Sequence, residues 1–184
     1  ENMKINDNSE NAKNSIPLKF ENAIKINKLN FSYETSKSFN LNIDKLEIEA
    51  KNFIGICGKS GSGKSTFINL ITGLLKSNSN GTIFIDEQKL SKNNLINWQK
   101  NIAYVPQSSF IADDTIKNNI AYGFSDKDIN LSKVENAAKI SKLDNFINDQ
   151  LNLKYNTLVG ESGVRLSGGQ KQRISIARAL YLDR

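Results

Sequence analysis

A chain of 184 residues, 38% of them hydrophobic and 24% charged, is long enough to bury one sizeable core and lies within the usual size of a single domain. No apolar run approaches the ~20 residues of a membrane-spanning helix, and the polar, Asn-rich amino terminus is unlike a secretory signal, so one soluble α/β domain is expected and any membrane part lies elsewhere. The formal charge of +6 rests on 25 basic residues scattered among asparagines, with no basic stripe and no interleaved aromatics, which argues against a nucleic-acid partner.

Residues 1–17 form a polar lead-in with little apolar content, and a folded domain is expected over 18–184. From Ile24 the run IKINKLNFSY alternates in hydrophobicity and LNIDKLEIEA continues in the same style, which predicts antiparallel strands. Phe53 to Cys57 predicts a short buried strand. The single cysteine, Cys57, has no partner for an internal disulfide, so a buried structural thiol in a reducing compartment is expected. A helix is predicted over Lys64–Leu75, then a Ser/Asn-rich turn through Gly81 and a strand at Thr82–Ile85. Asn94–Lys100 predicts a helix and Ile102–Val105 a strand that stops at Pro106. Between Thr115 and Leu151 the character is helical, as in SKVENAAKISKLDNFI, which predicts an inserted helical layer over about 108–168. A last helix is predicted from about Gly169 to Tyr181. No internal repeat is present.

The stretch FIGICGKSGSGKSTF carries the first chemistry. Gly58, Lys59, Ser60, Gly61, Ser62, Gly63, Lys64 and Ser65, followed by Thr66, fit G-x-x-x-x-G-K-[ST] between a predicted strand and a predicted helix. Glycines let the backbone curl so that successive N–H groups face phosphate oxygens, and the helix start adds its positive dipole end. Lys64 is placed to reach the β- and γ-phosphates and the Ser65 hydroxyl to ligate Mg²⁺. The expected ligand is a nucleoside triphosphate with magnesium.

A second motif, Leu166-Ser167-Gly168-Gly169-Gln170 followed by KQRISIARAL, decides which kind of phosphate-loop protein this is. From about Ile24 to Arg184 the chain resembles the ATP-binding-cassette (ABC) family, whose signature reads LSGGQ. LSGGQ before a helix is itself a nest of backbone N–H groups suited to an anion, although SGGQ alone also suits an ordinary helix cap. The resemblance implies an α/β fold, a phosphate-loop NTPase core of ABC type with an antiparallel β subdomain and an inserted helical subdomain. It also implies that LSGGQ covers ATP bound to a second nucleotide-binding domain, so that two domains pair head to tail around two nucleotides.

Further residues match the family. Tyr33, in FSYE, stands where the family places an aromatic that stacks on adenine. Gln107, in IAYVPQSS, matches the glutamine of the family's Q-loop, a Mg²⁺ ligand and link to the transmembrane partner, and nothing but the resemblance gives it that role. The segments TLVGESG (Thr157 to Gly163) and DDTIKNNIAYG resemble exporter-type members, which implies a transmembrane domain fused upstream and an exporter or lipid flippase at the cytoplasmic face of a membrane. An importer ATPase, a soluble ABC ATPase of the translation-factor or DNA-repair type, and a regulatory binding module remain as alternatives.

One run imitates a catalytic strand. Ile83-Phe84-Ile85-Asp86-Glu87 looks like a Walker B segment, in which the Asp assists Mg²⁺ and the Glu polarises the attacking water. The family places those residues after the signature helix, and places a strand of the type G-x-I-x-I-D where this one stands. The catalytic Glu and the switch His are therefore expected outside these 184 residues, which contain no His, and the chain is expected to bind ATP without turning it over.

Overall fold

The computed structural model describes residues 18–33, 39–77 and 82–183; the expected lead-in over 1–17 and most of the Ser/Asn-rich turn ending at Gly81 lie outside them. The described residues divide into two compact units, with the boundary between Ile102 and Ala103.

In the first unit the alternating segments form strands β1 (Ala23–Ser32) and β2 (Asn40–Glu49), followed by helix α1 (Lys64–Ile71), strands β3 (Thr82–Ile85) and β4 (Gln88–Lys89), and helix α2 (Leu95–Gln99). The sheet order is β2-β1-β3-β4, antiparallel throughout, with Ile26 opposite both Leu46 and Ile83. The alternation changes phase at Lys28, whose φ of 51° interrupts the pleat, so Ile24 and Ile26 before it and Leu29 and Phe31 after it are all buried. Each such side chain contributes about 1.5–3 kcal/mol on burial, and a one-residue slip would expose the set, so this apolar face fixes the register.

Phe67 and Leu70 of α1 belong to the same core as the sheet residues. The helix ends at Ile71, short of the predicted Leu75, because the Thr72 hydroxyl donates back to the Ile68 carbonyl (2.8 Å) and Gly73 follows. Trp98 of α2 is buried, donates from Nε1 to the Ile71 carbonyl (2.7 Å), and meets Phe20 edge to face.

In the second unit the elements are α3 (Ile116–Ile120), α4 (Leu131–Ile140), α5 (Asp144–Gln150), 3₁₀ turns at Lys154–Asn156 and Glu161–Gly163, and α6 (Gly168–Tyr181). Caps set several starts: Thr115 Oγ1 accepts from the Asn118 N–H and Asn130 Oδ1 from the Lys133 N–H, each over 3.1 Å. Lys142, with φ at 60°, separates α4 from α5. Ile116, Ile120, Val134, Leu143, Ile147 and Ile174 are fully buried in one core.

Three expectations fail here. Phe53–Cys57 and Ile102–Val105 form no strands; Phe53 is fully exposed, Ile54, Ile56, Tyr104 and Val105 are exposed, and so is Cys57, which is not a buried thiol. An extended apolar run becomes a strand only when a neighbour completes its hydrogen-bond ladder. Among the described residues no strand pairs with either run.

Candidate functional site

The glycine loop runs directly into α1. Gly63 stands at the helix N-cap in the left-handed region (φ 90°), where a Cβ would also meet the Phe39 ring at 3.0 Å. At Gly58 a Cβ would lie 2.6 Å from Ser62 Oγ, so a side chain there would require the serine hydroxyl to turn away. The Ser62 N–H donates to the Lys59 carbonyl (3.2 Å), and Lys64 Nζ folds back to donate to the carbonyls of Gly58 and Lys59, both over 2.8 Å.

These features fit a polyphosphate. No side chain caps the N–H groups at the start of α1 and no acid occupies its first turn, so its positive end is neither satisfied nor neutralised. The ammonium of Lys64 is held over the loop by neutral carbonyls, acceptors that a phosphate oxygen can replace with a stronger, charge-assisted bond. Lys59, Ser60 and Ser65 are exposed. Thr66 is buried, and its Oγ1 shares a hydrogen bond with Tyr33 Oη over 3.0 Å. The structure thus brings Tyr33 beside the helix that the loop feeds. The Tyr33 ring packs edge to face on Phe31 (4.9 Å between centroids) and is tilted against Phe39, yet it stays 37% exposed.

Gln107 and the LSGGQ segment belong to the second unit. Ser167 Oγ accepts from the Gln170 N–H (3.3 Å) and Gln170 Oε1 accepts from the Ser167 N–H (2.8 Å), a reciprocal capping box that opens α6. The S-x-x-Q spacing carries this signal in the sequence. Leu166 is buried as the anchor of the turn, whereas Gly168 and Gly169 have open space where a Cβ would stand. Gln107 is exposed and lines a cleft of about 640 Å³ with Ser162, Gly168 and Lys171 among others. The two segments singled out as exporter-like meet: Thr115 bridges Leu158 antiparallel, Ile116 N–H donates to the Thr157 carbonyl and Val159 N–H to that of Asp114, each over 3.1 Å.

The IFIDE run is tied into the antiparallel sheet. Asp86 sits in the β3–β4 turn, where Oδ2 accepts from the Glu21 N–H and Oδ1 from those of Asn22 and Ala23, at 2.8 to 2.9 Å. These bonds, that from Glu21 foremost, hold its carboxyl below the ordinary carboxylate value. Glu87 is exposed and pairs with Lys25 at 3.1 Å. Among the described residues no group of three or more His, Cys, Asp or Glu is placed to hold a metal ion, and no helix is long and apolar enough to cross a membrane.

A glycine loop of this build, ahead of an uncapped basic helix start, defines a phosphate-loop nucleotide-binding domain. The family model described as ABC transporter matches residues 41–184, more than half of the chain, and the chain belongs to that family. It is 44% identical over 162 residues to a Rickettsia typhi protein described by name as an export ATP-binding/permease protein, covering 86% of this chain and 27% of that one. An ATP-dependent lipid A-core flippase of Aliivibrio fischeri is 40% identical over 157 residues, covering 85% and 26%. The structure of a bacterial Atm1-family ABC exporter with ATP bound superposes with a TM-score of 0.80 at 33% identity, over 92% of this chain and 29% of that one. The chain has the fold of an ABC ATPase domain and spans little more than a quarter of the length of these relatives.

Proposed function

We propose that this chain is the ATP-binding domain of an exporter or lipid flippase, with residues 18–184 as the domain and a helical subdomain over about 108–168. Gly58 to Thr66 would bind the phosphates of ATP, with Lys64 exchanging its two carbonyl acceptors for phosphate oxygens. Ser65 and Gln107 would supply oxygen ligands to Mg²⁺, an ion that favours hydroxyl, carbonyl and water oxygens. Tyr33 would stack on the adenine. Leu166, Ser167, Gly168, Gly169 and Gln170 would close over the nucleotide of a second domain, in a two-fold pairing in which each surface meets the other's loop. Hydrolysis in the intact protein is phosphoryl transfer to water, for which the loop and Lys64 supply positioning and charge; we assign the catalytic base to none of the carboxylates in this chain. Coupling would run to a transmembrane domain of the same polypeptide, with this domain at the cytoplasmic face and closure favoured only by tighter ATP binding in the closed pair. The export and flippase names of the relatives favour this reading over an importer or soluble ATPase.

The observation that carries the reading is the loop itself, glycine-turned, free of acid and spanned by Lys64. Calorimetric titration tests it. Mg-ATP should bind the wild-type chain, AMP should bind poorly for want of the β- and γ-phosphates, and Lys64→Ala should weaken Mg-ATP by about 100-fold, the ~3 kcal/mol of a charge-assisted bond. Equal affinity of Lys64→Ala and wild type would refute it.

A further inference from the structure

Between the C-terminal turn of α1 and the β3–β4 hairpin the first unit holds a cleft of about 780 Å³, within the ~300–1,000 Å³ typical of small-molecule sites. Its walls are the half-buried Leu75, Leu90 and Leu95 above the buried Leu70 and Ile83. Three lysines, Lys76, Lys89 and Lys92, stand exposed at the rim. Among the described residues no Asp or Glu lines the cleft, and none of the three lysines takes part in an ion pair. Among the described residues two hydroxyls line it and both are engaged, Ser77 Oγ with the Asn30 carbonyl and Ser91 Oγ with Asn94 Oδ1, each over 3.2 Å.

We propose that this cleft binds a straight-chain fatty acid, the alkyl chain lying against the leucines and the carboxylate among the three ammonium groups. The charge asks for an anion and the lining for an apolar body. An acidic peptide answers the charge but would carry backbone N–H and C=O groups into a cleft whose hydroxyls are taken, at the cost of leaving them unsatisfied. A methylene chain has no such groups to satisfy. The cleft is separate from the glycine loop and Tyr33, so the proposal stands or falls independently of the nucleotide reading.

The test is calorimetric titration of the 184-residue chain with decanoate, dodecanoate and tetradecanoate, each as a monomer below its micellar concentration. Saturable one-to-one binding is expected, with Kd falling about fourfold for each added methylene. Methyl dodecanoate, uncharged, should bind at least tenfold more weakly than dodecanoate. The combined variant Lys76→Glu, Lys89→Glu and Lys92→Glu should lose at least tenfold for dodecanoate. Its three sites are exposed, and an unchanged near-ultraviolet signal from Trp98 would show that the neighbouring core is intact. Non-saturating uptake, equal affinity for the ester, or undiminished binding by the charge-reversed variant would each overturn the proposal, since all three describe partition onto exposed apolar surface and not a site.

Discussion

Arg178 Nε, on the last turns of α6, donates a 2.9 Å hydrogen bond to the backbone carbonyl of Asn119 on α3. The guanidinium also lies 4.8 Å from the centroid of the Tyr122 ring. Asn119 is fully buried and in turn holds the segment before it: Oδ1 accepts from the Ala112 N–H, and Nδ2 donates to the carbonyls of Ala112 and Thr115. The signature helix, α3 and the stretch after Gln107 are therefore joined through one side-chain pair.

Arg178→Ala should destabilise the chain by about 1–3 kcal/mol, the cost of leaving a buried carbonyl without its donor. Asn119→Ala should cost at least as much, because it leaves the Ala112 N–H without its acceptor and takes one of two donors from each of the Ala112 and Thr115 carbonyls. Arg178→Lys should recover only part of the loss, since an ammonium lacks the planar fork that reaches the carbonyl while lying over a ring. Urea unfolding followed by circular dichroism measures all three, and an Arg178→Ala midpoint equal to wild type would dismiss the linkage.

The Tyr33–Thr66 hydroxyl pair separates two roles of one residue. Tyr33→Phe keeps the ring and loses only the bond to Thr66, so Mg-ATP affinity should stay within about twofold if stacking is what counts. Tyr33→Ala removes the ring and should cost about 1–3 kcal/mol of binding. Should Phe weaken ATP as much as Ala does, the hydroxyl contact and not the ring would be the operative feature.

Much of this architecture is legible in the sequence where the signal is local. β1 and β2 follow from alternation, β3 from the short apolar run after the Ser/Asn-rich turn, α6 from LSGGQ and its following helix, and the loop from its glycine spacing. Phe53–Cys57 and Ile102–Val105 show the limit: an apolar run encodes a wish for burial and not the identity of the strand that would complete its ladder. Asn119 and Arg178 read as ordinary helical residues because their pairing spans 59 positions. Asp86 likewise gives no local sign that it will accept three N–H groups from residues 21–23. The capping box of Ser167 and Gln170 is legible, since S-x-x-Q is a local pattern.

Asp86 makes stability depend on pH in a stated direction. Its folded carboxyl titrates below the ordinary 3.8, so its contribution is present above that value and is lost as pH falls through the lower, folded one. Asp86→Asn presents one acceptor oxygen where the carboxylate presents two, and should be less stable than wild type at pH 7. The gap should narrow below about pH 4, as the wild-type carboxylate is protonated. Urea unfolding at pH 7, 5, 4 and 3 checks this, and a gap that stays constant to pH 3 would show that the negative charge does not matter.

The last prediction concerns Glu87, which by sequence alone imitates a catalytic base. It lies in the turn after β3, a strand that runs between β1 and β4 and antiparallel to both, and the neighbouring Asp86 is committed to the N–H groups that start β1. The Glu87 side chain is 89% exposed and its partner is Lys25, whose own affinity for a proton is raised chiefly by that hydrogen bond. A base for phosphoryl transfer must instead reach the attacking water beside the γ-phosphate. Glu87→Gln should therefore leave Mg-ATP affinity unchanged, and phosphate release by wild type and variant should be equal. Measured release from the 184-residue chain that Glu87→Gln abolishes would require β3 to leave the sheet pairings with β1 and bring Glu87 to the glycine loop, and would overturn the assignment of IFIDE as a structural hairpin.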